Sequence, residues 1–139
     1  MTIIKYGFTG TRNGLSIEQK NNIEKLLLSH IENTDDIEVH HGDCIGADKD
    51  FHGICENLNL KYNSKINIII HPPNKTICRA YCKSPNVLDE KDYLERNKQI
   101  VNNVDILIGC PLSKSEQLRS GTWMTIRYAK KHNKSIILF

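Results

Sequence analysis

The sequence has no large excess of charge of either sign and no long apolar run. Its 139 residues include 19 basic and 16 acidic ones, which gives a formal net charge of +3. This balance does not support attraction to nucleic acid or to a membrane surface by bulk charge. The first apolar stretch, residues 2–8, is too short for a signal or membrane-spanning segment and runs directly into Gly10. We therefore expect a cytoplasmic protein with neither a membrane nor a nucleic acid as its partner.

The sequence also lacks cysteine pairs with the spacing of metal ligands. It contains five cysteines, an odd number, and no Cys-x-x-Cys pair. Neither a disulfide framework nor a zinc site is indicated, and a reducing cytosol fits best. Cys78, Cys82 and His71 could be combined into three ligands, but no fourth ligand has a suitable spacing. We predict no bound metal and no cofactor.

The length and mass, 139 residues and 15.9 kDa, are those of one domain that can bury its own core. We assign residues 1–139 to this single domain. Few of its basic residues are arginines, and those few lie in or beside segments that resemble loops or motifs. Planar guanidinium groups in such places suit phosphate or carboxylate, so we expect anion binding to be local. The five arginines are Arg12, Arg79, Arg96, Arg119 and Arg127.

Short apolar runs alternate with segments of helical periodicity along the chain. The runs predict strands at residues 3–8, 37–41, 66–70, 105–109 and 135–139. Residues 66–70 are apolar enough to be buried on both faces, as in a parallel sheet. This alternation predicts an α/β fold: a single Rossmann-like, doubly wound and mainly parallel sheet of about five strands with helices on both faces.

The segments between the strands carry signals for four helices. Ser16 and Gln19 form a capping box, followed by an apolar face at positions 17, 23, 26, 27 and 31. A second helix places residues 47, 51, 54, 55 and 58 on one face. Further helices are predicted at residues 92–104 and 122–132. Residues 74–90 show no clear periodicity, so we expect a long loop or a poorly formed helix there.

Each of the first four predicted strands ends in a loop of unusual composition. Ligands of doubly wound sheets bind outside the carboxyl ends of the strands, where these loops converge. The convergence is the strongest indication of a binding crevice in the sequence. The candidate ligand residues are Thr9, Gly10, Thr11 and Arg12 after the first strand, Gly42, Asp43, Gly46 and Asp48 after the second, His71 and Pro72 after the third, and Pro111 after the fourth.

The segment RSGTWMTIRYAKK, residues 119–131, changes from a polar loop into a helix at Ser120, Gly121 and Thr122. A helix start of this kind presents unpaired backbone N–H groups and the positive end of the helix dipole, which together bind anions. Arg119 and Arg127 flank the turn. The alternative is an ordinary N-cap without a ligand. Two aromatic side chains, Trp123 and Tyr93, are suited to stacking on a base or ribose, although core packing is the alternative for Trp123.

Taken together, the motifs of the chain resemble the SLOG superfamily, named for the Smf/DprA proteins and the LOG cytokinin-activating enzymes, and especially its small YspA-like bacterial and phage members. The matching motifs are GFTGTR at 7–12, HGDCIGAD at 41–48, HPP at 71–73, YLERN at 93–97, D-x-LIG-x-P at 105–111 and RSGTWMTIRYAKK at 119–131. The resemblance implies a Rossmann-like fold that binds nucleotides or nucleotide-derived ligands, with phosphate at the Gly-Thr helix start. It also suggests a homo-oligomer and a role in phage or bacterial signalling.

The chain departs from the LOG pattern at one decisive position. LOG enzymes are phosphoribohydrolases that use an arginine and the glutamate of a PGGxGTxxE motif. The resemblance carries Arg96, with Asn97 beside it, onto the arginine position, but Thr125 stands where the glutamate would be. A carboxylate from another loop, at Asp43, Asp48 or Glu116, could replace it, and the catalytic candidates are Arg96, Asp43 and Glu116.

These features lead us to expect a sensor or sequestering protein for a nucleoside phosphate, ADP-ribose or a cyclic derivative rather than an enzyme. The alternative is a LOG-like phosphoribohydrolase or N-glycosidase with a non-standard carboxylate. Single-stranded DNA binding, by analogy with DprA, is a third class that neither net charge nor an aromatic-rich surface supports.

Overall fold

Six parallel strands form a single sheet in the computed structural model of the chain, which describes residues 3–64 and 66–139. The strands are β1 (Ile3–Gly10), β2 (Asp36–His41), β3 (Asn67–Ile70), β4 (Asn86–Val87), β5 (Ile106–Cys110) and β6 (Ser135–Leu138). They lie in the order β4-β3-β2-β1-β5-β6, and each neighbouring pair is parallel. This is the predicted doubly wound α/β fold, with six strands where about five were expected.

Four α-helices cover the sheet in the described part of the chain. They are α1 (Ile17–Glu32), α2 (Ala47–Tyr62), α3 (Tyr93–Asn102) and α4 (Gly121–Lys131), and a 3-10 helix spans Thr76–Cys78. Three of the α-helices begin at side-chain caps: Ser16 with its capping box, Asp92 and Ser120. None of the described helices is long and apolar enough to cross a membrane.

The helices pack in pairs, α1 with α2 on one face of the sheet and α3 with α4 on the other. Phe8 from β1 stacks on Phe51 from α2 with ring centroids 4.3 Å apart, and Ile23 and Leu27 from α1 complete this larger core. Trp123, Ile126 and Ala129 from α4 form the smaller core with Val101 and Leu107. The middle of β1 is buried on both faces, because Tyr6 and Phe8 face the larger core and Gly7 faces Ile100 and Val104 on the other side.

One detail of the predicted elements is wrong, and another is incomplete. Ile17 was placed on the apolar face of α1, but it is the first helical residue and is 78% exposed. Residues 74–90 contain the 3-10 helix and β4, which pairs with Ile69 and Ile70 at the edge of the sheet. A strand of two residues is too short to produce a periodic pattern, so only its pairing reveals it.

The first turn of α2 packs directly against the end of β1. A Cβ at Gly10 would lie 2.5 Å from Cβ of Ala47, and the N–H of Ala47 donates to the carbonyl of Thr11 at 2.9 Å. Gly46, which precedes the helix, has φ of +91°, a conformation that favours glycine. Any side chain at position 10 therefore separates α2 from the sheet.

We predict that Gly10→Ala lowers the free energy of unfolding by about 1 to 3 kcal/mol, because the added methyl group overpacks the contact with Ala47. Gly53→Ala is the matched control: a Cβ there meets nothing within 4 Å in the middle of α2. That control should be neutral or stabilising by up to about 1 kcal/mol. Urea denaturation of both variants measures the difference, and an equal effect of the two would contradict the packing argument.

Candidate functional site

A cleft of about 320 Å³ lies at the carboxyl ends of β1 and β5. The strand order changes direction at this point. On one side of β1 lie β2, β3 and β4, and on its other side lie β5 and β6. Doubly wound sheets bind their ligands at such a switch point, and the volume falls within the range of small-molecule sites. The cleft is therefore the candidate functional site.

Twelve of the predicted ligand residues line the cleft. They are Thr9, Gly10, Thr11, Arg12, Gly42, Asp48, Arg96, Asn97, Ser120, Gly121, Thr122 and Trp123. Thr9 and Gly10 are the last residues of β1, so they belong to the strand and not to the loop after it. The sequence did not single out Cys44, Leu112, Ser113 or Gln117, which also line the cleft.

The N-terminus of α4 opens into the cleft. Ser120 is its N-cap, and the Ser120 hydroxyl accepts a hydrogen bond from the Trp123 N–H at 3.2 Å. This cap satisfies one of the first N–H groups, while Gly121 and Thr122 line the cleft at the positive end of the helix dipole. A Cβ at Gly121 would meet nothing within 4 Å. The helix start is thus an ordinary N-cap that also borders the cleft.

Trp123 belongs mainly to the core. It is buried among the residues of the smaller core, and its indole N–H donates to the Ser113 carbonyl at 3.1 Å. Trp123 therefore packs in the core, which was the alternative to stacking on a ligand. The hydrogen bond also holds Ser113 beside the cleft.

Tyr93 is the exposed aromatic side chain at the cleft. It begins α3, is 39% exposed, and its hydroxyl accepts a hydrogen bond from Nη2 of Arg12 at 2.7 Å. The guanidinium carbons of Arg12 and Arg96 lie 5.7 and 5.5 Å from the centre of its ring. Both distances are within the range of cation–π attraction, so Tyr93 positions two cations at one side of the cleft.

Arg96 is 3% exposed and binds mainly to the protein itself. Its Nη1 donates to the carbonyls of Gly42 and His71, and its Nε donates to the amide oxygen of Asn97 at 2.8 Å. These two carbonyls follow β2 and β3, so one guanidinium ties the ends of both strands to α3. A Cβ at Gly42 would collide with the guanidinium, which explains the glycine. Arg96 lines the cleft chiefly as a fixed positive charge.

Asp48 is the one carboxylate among the cleft-lining residues that the structure describes. It lies in the first turn of α2, is 8% exposed, and its Oδ2 accepts a hydrogen bond from the Cys44 N–H at 3.1 Å. Burial raises the pKa of Asp48 to about 6, against the opposing charge of Arg96. A buried carboxylate with a perturbed pKa in a cleft is a frequent property of functional sites.

The other two candidate carboxylates do not line the cleft. Asp43 is fully buried, where its Oδ2 accepts from Nε of Arg79 at 3.2 Å and its Oδ1 accepts from the Cys82 N–H at 2.9 Å. Glu116 is exposed and pairs with Arg127 at 2.9 Å. Asp43 therefore holds the chain around Arg79 and Cys82 against the end of β2, and Glu116 belongs to a surface ion pair.

The two arginines that flank the start of α4 also lie outside the cleft lining. Arg127 donates to Glu116 and, at 3.0 Å, to the carbonyl of Leu118, so it fastens the loop before α4 to the helix. Arg119 is exposed. Their neighbours in sequence suggested phosphate contacts, but neither side chain is among those that line the cleft.

Four further candidates support the cleft from outside its lining. Gly46 approaches the backbone of Arg12 so closely that any Cβ would collide with it. Pro72 and Pro111 are buried at the ends of their strands. His71 is buried, with Nε2 2.7 Å from Nδ1 of His40 and Nδ1 2.9 Å from Oε1 of Gln99, and burial lowers its pKa to about 4.

A cluster of potential metal ligands lies apart from the cleft, where atoms of His41, His52 and Cys82 come within 4.8 Å of one another. Nδ1 of His41 accepts the N–H of Asp43, so Nε2 of the neutral ring carries the proton that bonds Nδ1 of His52 at 2.9 Å. Burial and a hydrogen bond to Asp43 raise the pKa of the Cys82 thiol to about 12. Both nitrogens of His41 and Nδ1 of His52 are thus engaged in hydrogen bonds, which favours a hydrogen-bond network over a metal site, although Nε2 of His52 has no hydrogen-bond partner among the described residues.

No protein-family model and no curated protein sequence matches the chain. Among solved structures, the X-ray structure of TM1055, a structural genomics target, is similar with a TM-score of 0.64. The similarity covers 96% of this chain and 72% of that chain at 14% sequence identity. At this identity the comparison establishes a shared fold, the Rossmann-like α/β arrangement described above.

Proposed function

We propose that the chain binds a nucleotide or nucleotide-derived ligand, such as a nucleoside phosphate, ADP-ribose or a cyclic derivative, in the cleft at the ends of β1 and β5. The observation that carries this proposal is the open N-terminus of α4, where Ser120, Gly121 and Thr122 line the cleft. Backbone N–H groups and hydroxyls at a helix start are the usual donors to phosphate. The protein would then act as a sensor or a sequestering protein.

The remaining cleft residues supply the other parts of a nucleotide site. Arg12 and Arg96 provide positive charge in the same cleft as the helix start, and Tyr93 offers an exposed ring for a base. The resemblance of the sequence to the SLOG superfamily supports the same ligand class, because the GFTGTR, HGDCIGAD, YLERN and RSGT motifs all contribute cleft-lining residues.

We further propose that the ligand is bound without being turned over. The hydroxyl of Thr125, at the position of the LOG glutamate, donates back to the Gly121 carbonyl at 3.0 Å and supplies no negative charge. Stabilising a ribosyl cation needs a carboxylate near the anomeric carbon. The second candidate function is a phosphoribohydrolase that uses Asp48, and the placement of that carboxylate in the cleft favours it.

We predict that Gly121→Val weakens binding of AMP or ADP-ribose at least about tenfold, because the added side chain occupies the cleft in front of the helix start. The same substitution at Gly53, also in a helix with open space around its Cβ, should leave the affinity unchanged. Titration calorimetry measures both variants against the wild type.

Chromatography of the titrated solution then tests turnover. We expect AMP and ADP-ribose to be recovered intact. Release of free base by the wild type but not by Asp48→Asn would establish the hydrolase instead. Equal affinity of the wild type and Gly121→Val would show that the phosphate does not bind at the start of α4.

Asp48 is expected to reduce stability at neutral pH. Burial raises its pKa from the ordinary value of 3.8 to about 6 in the fold, so the native state binds the proton more tightly than the unfolded chain. Stability is therefore lost as pH rises from about 4 to about 6, by an amount on the order of 3 kcal/mol. A carboxylate kept in the cleft at such a cost supports a functional role.

We predict that Asp48→Asn raises the free energy of unfolding by about 1 to 2 kcal/mol at pH 7.5 and by much less at pH 4, since the amide oxygen can still accept the Cys44 N–H. Denaturation at both pH values measures the change. Asp50→Asn is the control within the same helix: Asp50 accepts the Leu15 N–H at 2.9 Å, the amide oxygen can still accept it, and we expect no gain in stability there. A gain in Asp48→Asn that does not depend on pH would contradict the assignment.

A homo-oligomer, most simply a dimer, stays a prediction for this chain. A cleft open along one edge of a 139-residue domain can be closed by a loop from a neighbouring subunit. Light scattering at working concentration measures the mass, and a value near 15.9 kDa would contradict the prediction.

A further inference from the structure

The carboxylate of Asp48 has a fixed place in the cleft that the phosphate site does not explain. Its helix is anchored at this point, because the N–H of Ala47 donates to the Thr11 carbonyl at 2.9 Å. Its Oδ2 is held by the Cys44 N–H at 3.1 Å. The backbone of Gly42 also hydrogen-bonds to this carboxylate, which leaves about two of its roughly four lone-pair sites for the cleft that the side chain lines. The carboxylate therefore offers an acceptor to a bound molecule.

The charges at the cleft fix which part of a nucleotide can approach Asp48. A phosphate is attracted to the start of α4 and repelled by an ionised carboxylate. Asp48 consequently faces a neutral, hydrogen-bond-donating part of the ligand. In a nucleotide these donors are the ribose hydroxyls and, in some bases, an exocyclic amine.

The position of the aromatic ring favours the ribose hydroxyls over the exocyclic amine as the group that faces Asp48. Tyr93 lies at the start of α3 beside Arg12 and Arg96, so the base is expected to stack at that side. The sugar joins base and phosphate, and Asp48 lies in the cleft that both of these groups border. Dinucleotide-binding sheets also recognise ribose through an acidic side chain, although theirs follows the glycine loop by about 20 residues and Asp48 lies in the first turn of α2.

We propose that Asp48 recognises the sugar hydroxyls of the ligand and makes the cleft selective for ribose over 2′-deoxyribose. This inference rests on the proposed nucleotide binding and adds to it the class of sugar and the orientation of the ligand. A hydrogen bond from a neutral hydroxyl to a charged acceptor discriminates by about ten- to a hundredfold when it is lost.

Calorimetric titration of the full chain with AMP, 2′-deoxy-AMP, 3′-deoxy-AMP and IMP tests the proposal. AMP should bind about ten- to a hundredfold more tightly than 2′-deoxy-AMP, 3′-deoxy-AMP or both. IMP, which has the ribose but lacks the exocyclic amine, should bind about as tightly as AMP. The wild-type comparison needs no substitution, so it holds even if a variant fails to fold.

Two substitutions assign the selectivity to Asp48. Asp48→Ala should bring AMP and its deoxy analogues to nearly equal affinity, and Asp48→Asn, which keeps an oxygen for the Cys44 N–H, should reduce the ratio. Asp50→Asn is the matched control, because Asp50 lies in the same helical turn and outside the cleft lining, and it should retain the wild-type ratio.

The outcomes separate the inference from the function on which it rests. If the wild type binds AMP and its deoxy analogues with equal affinity, the inference is overturned and nucleotide binding stays intact. The same follows if the ratio of the affinity for AMP to that for its deoxy analogues is unchanged in Asp48→Ala. A loss of affinity for IMP alone places the carboxylate against the base and also overturns it. Binding of none of the four nucleotides overturns both.

Discussion

The close approach of α2 to the end of β1 is the contact on which the site depends. Gly10 allows Cβ of Ala47 to reach the strand, and the bond from Ala47 N–H to Thr11 fixes the loop between β1 and α1. The same contact brings Asp48, one residue further along α2, to the cleft that Arg12 borders. Glycine at position 10 is thus a packing requirement first, and its place beside a ligand follows from it.

Arg96 connects the stability of the sheet to the charge of the cleft. A buried guanidinium must be hydrogen-bonded, and Gly42 and His71 supply carbonyls from two neighbouring strand ends. Its charge also lowers the pKa of Asp48 against the effect of burial. Replacing Arg96 would therefore disturb the strand ends and the cleft together, so a loss of binding in such a variant would not identify a ligand contact.

Local signals in the sequence predicted the helices and strands well. Contacts between residues far apart in the sequence could not be predicted in the same way. The Ser16 capping box and the Ser120 cap are formed by residues three positions apart, so the sequence contains all their parts. Asp43 and Arg79 are bonded across 36 positions, and no pattern distinguishes such a structural pair from two cleft residues. The same holds for Glu116 and Arg127, which form an ion pair with each other and do not line the cleft. Asp48 and Arg12, by contrast, do line the cleft.

The distribution of charge in the cleft also explains why the net charge of the chain gave no hint of a ligand. Positive potential comes from Arg12, Arg96 and the N-terminus of α4, and the negative charge of Asp48 lies among the same lining residues. The net charge of +3 is the difference between 19 basic and 16 acidic residues over the whole chain, so it does not reveal these few charges. They do not cancel within the cleft, because each acts on the part of a ligand nearest to it in a partly desolvated space. A cleft with charges of both signs fits a molecule that has an anionic end and a neutral end rich in hydroxyl groups, and a long uniform polyanion would meet Asp48 unfavourably.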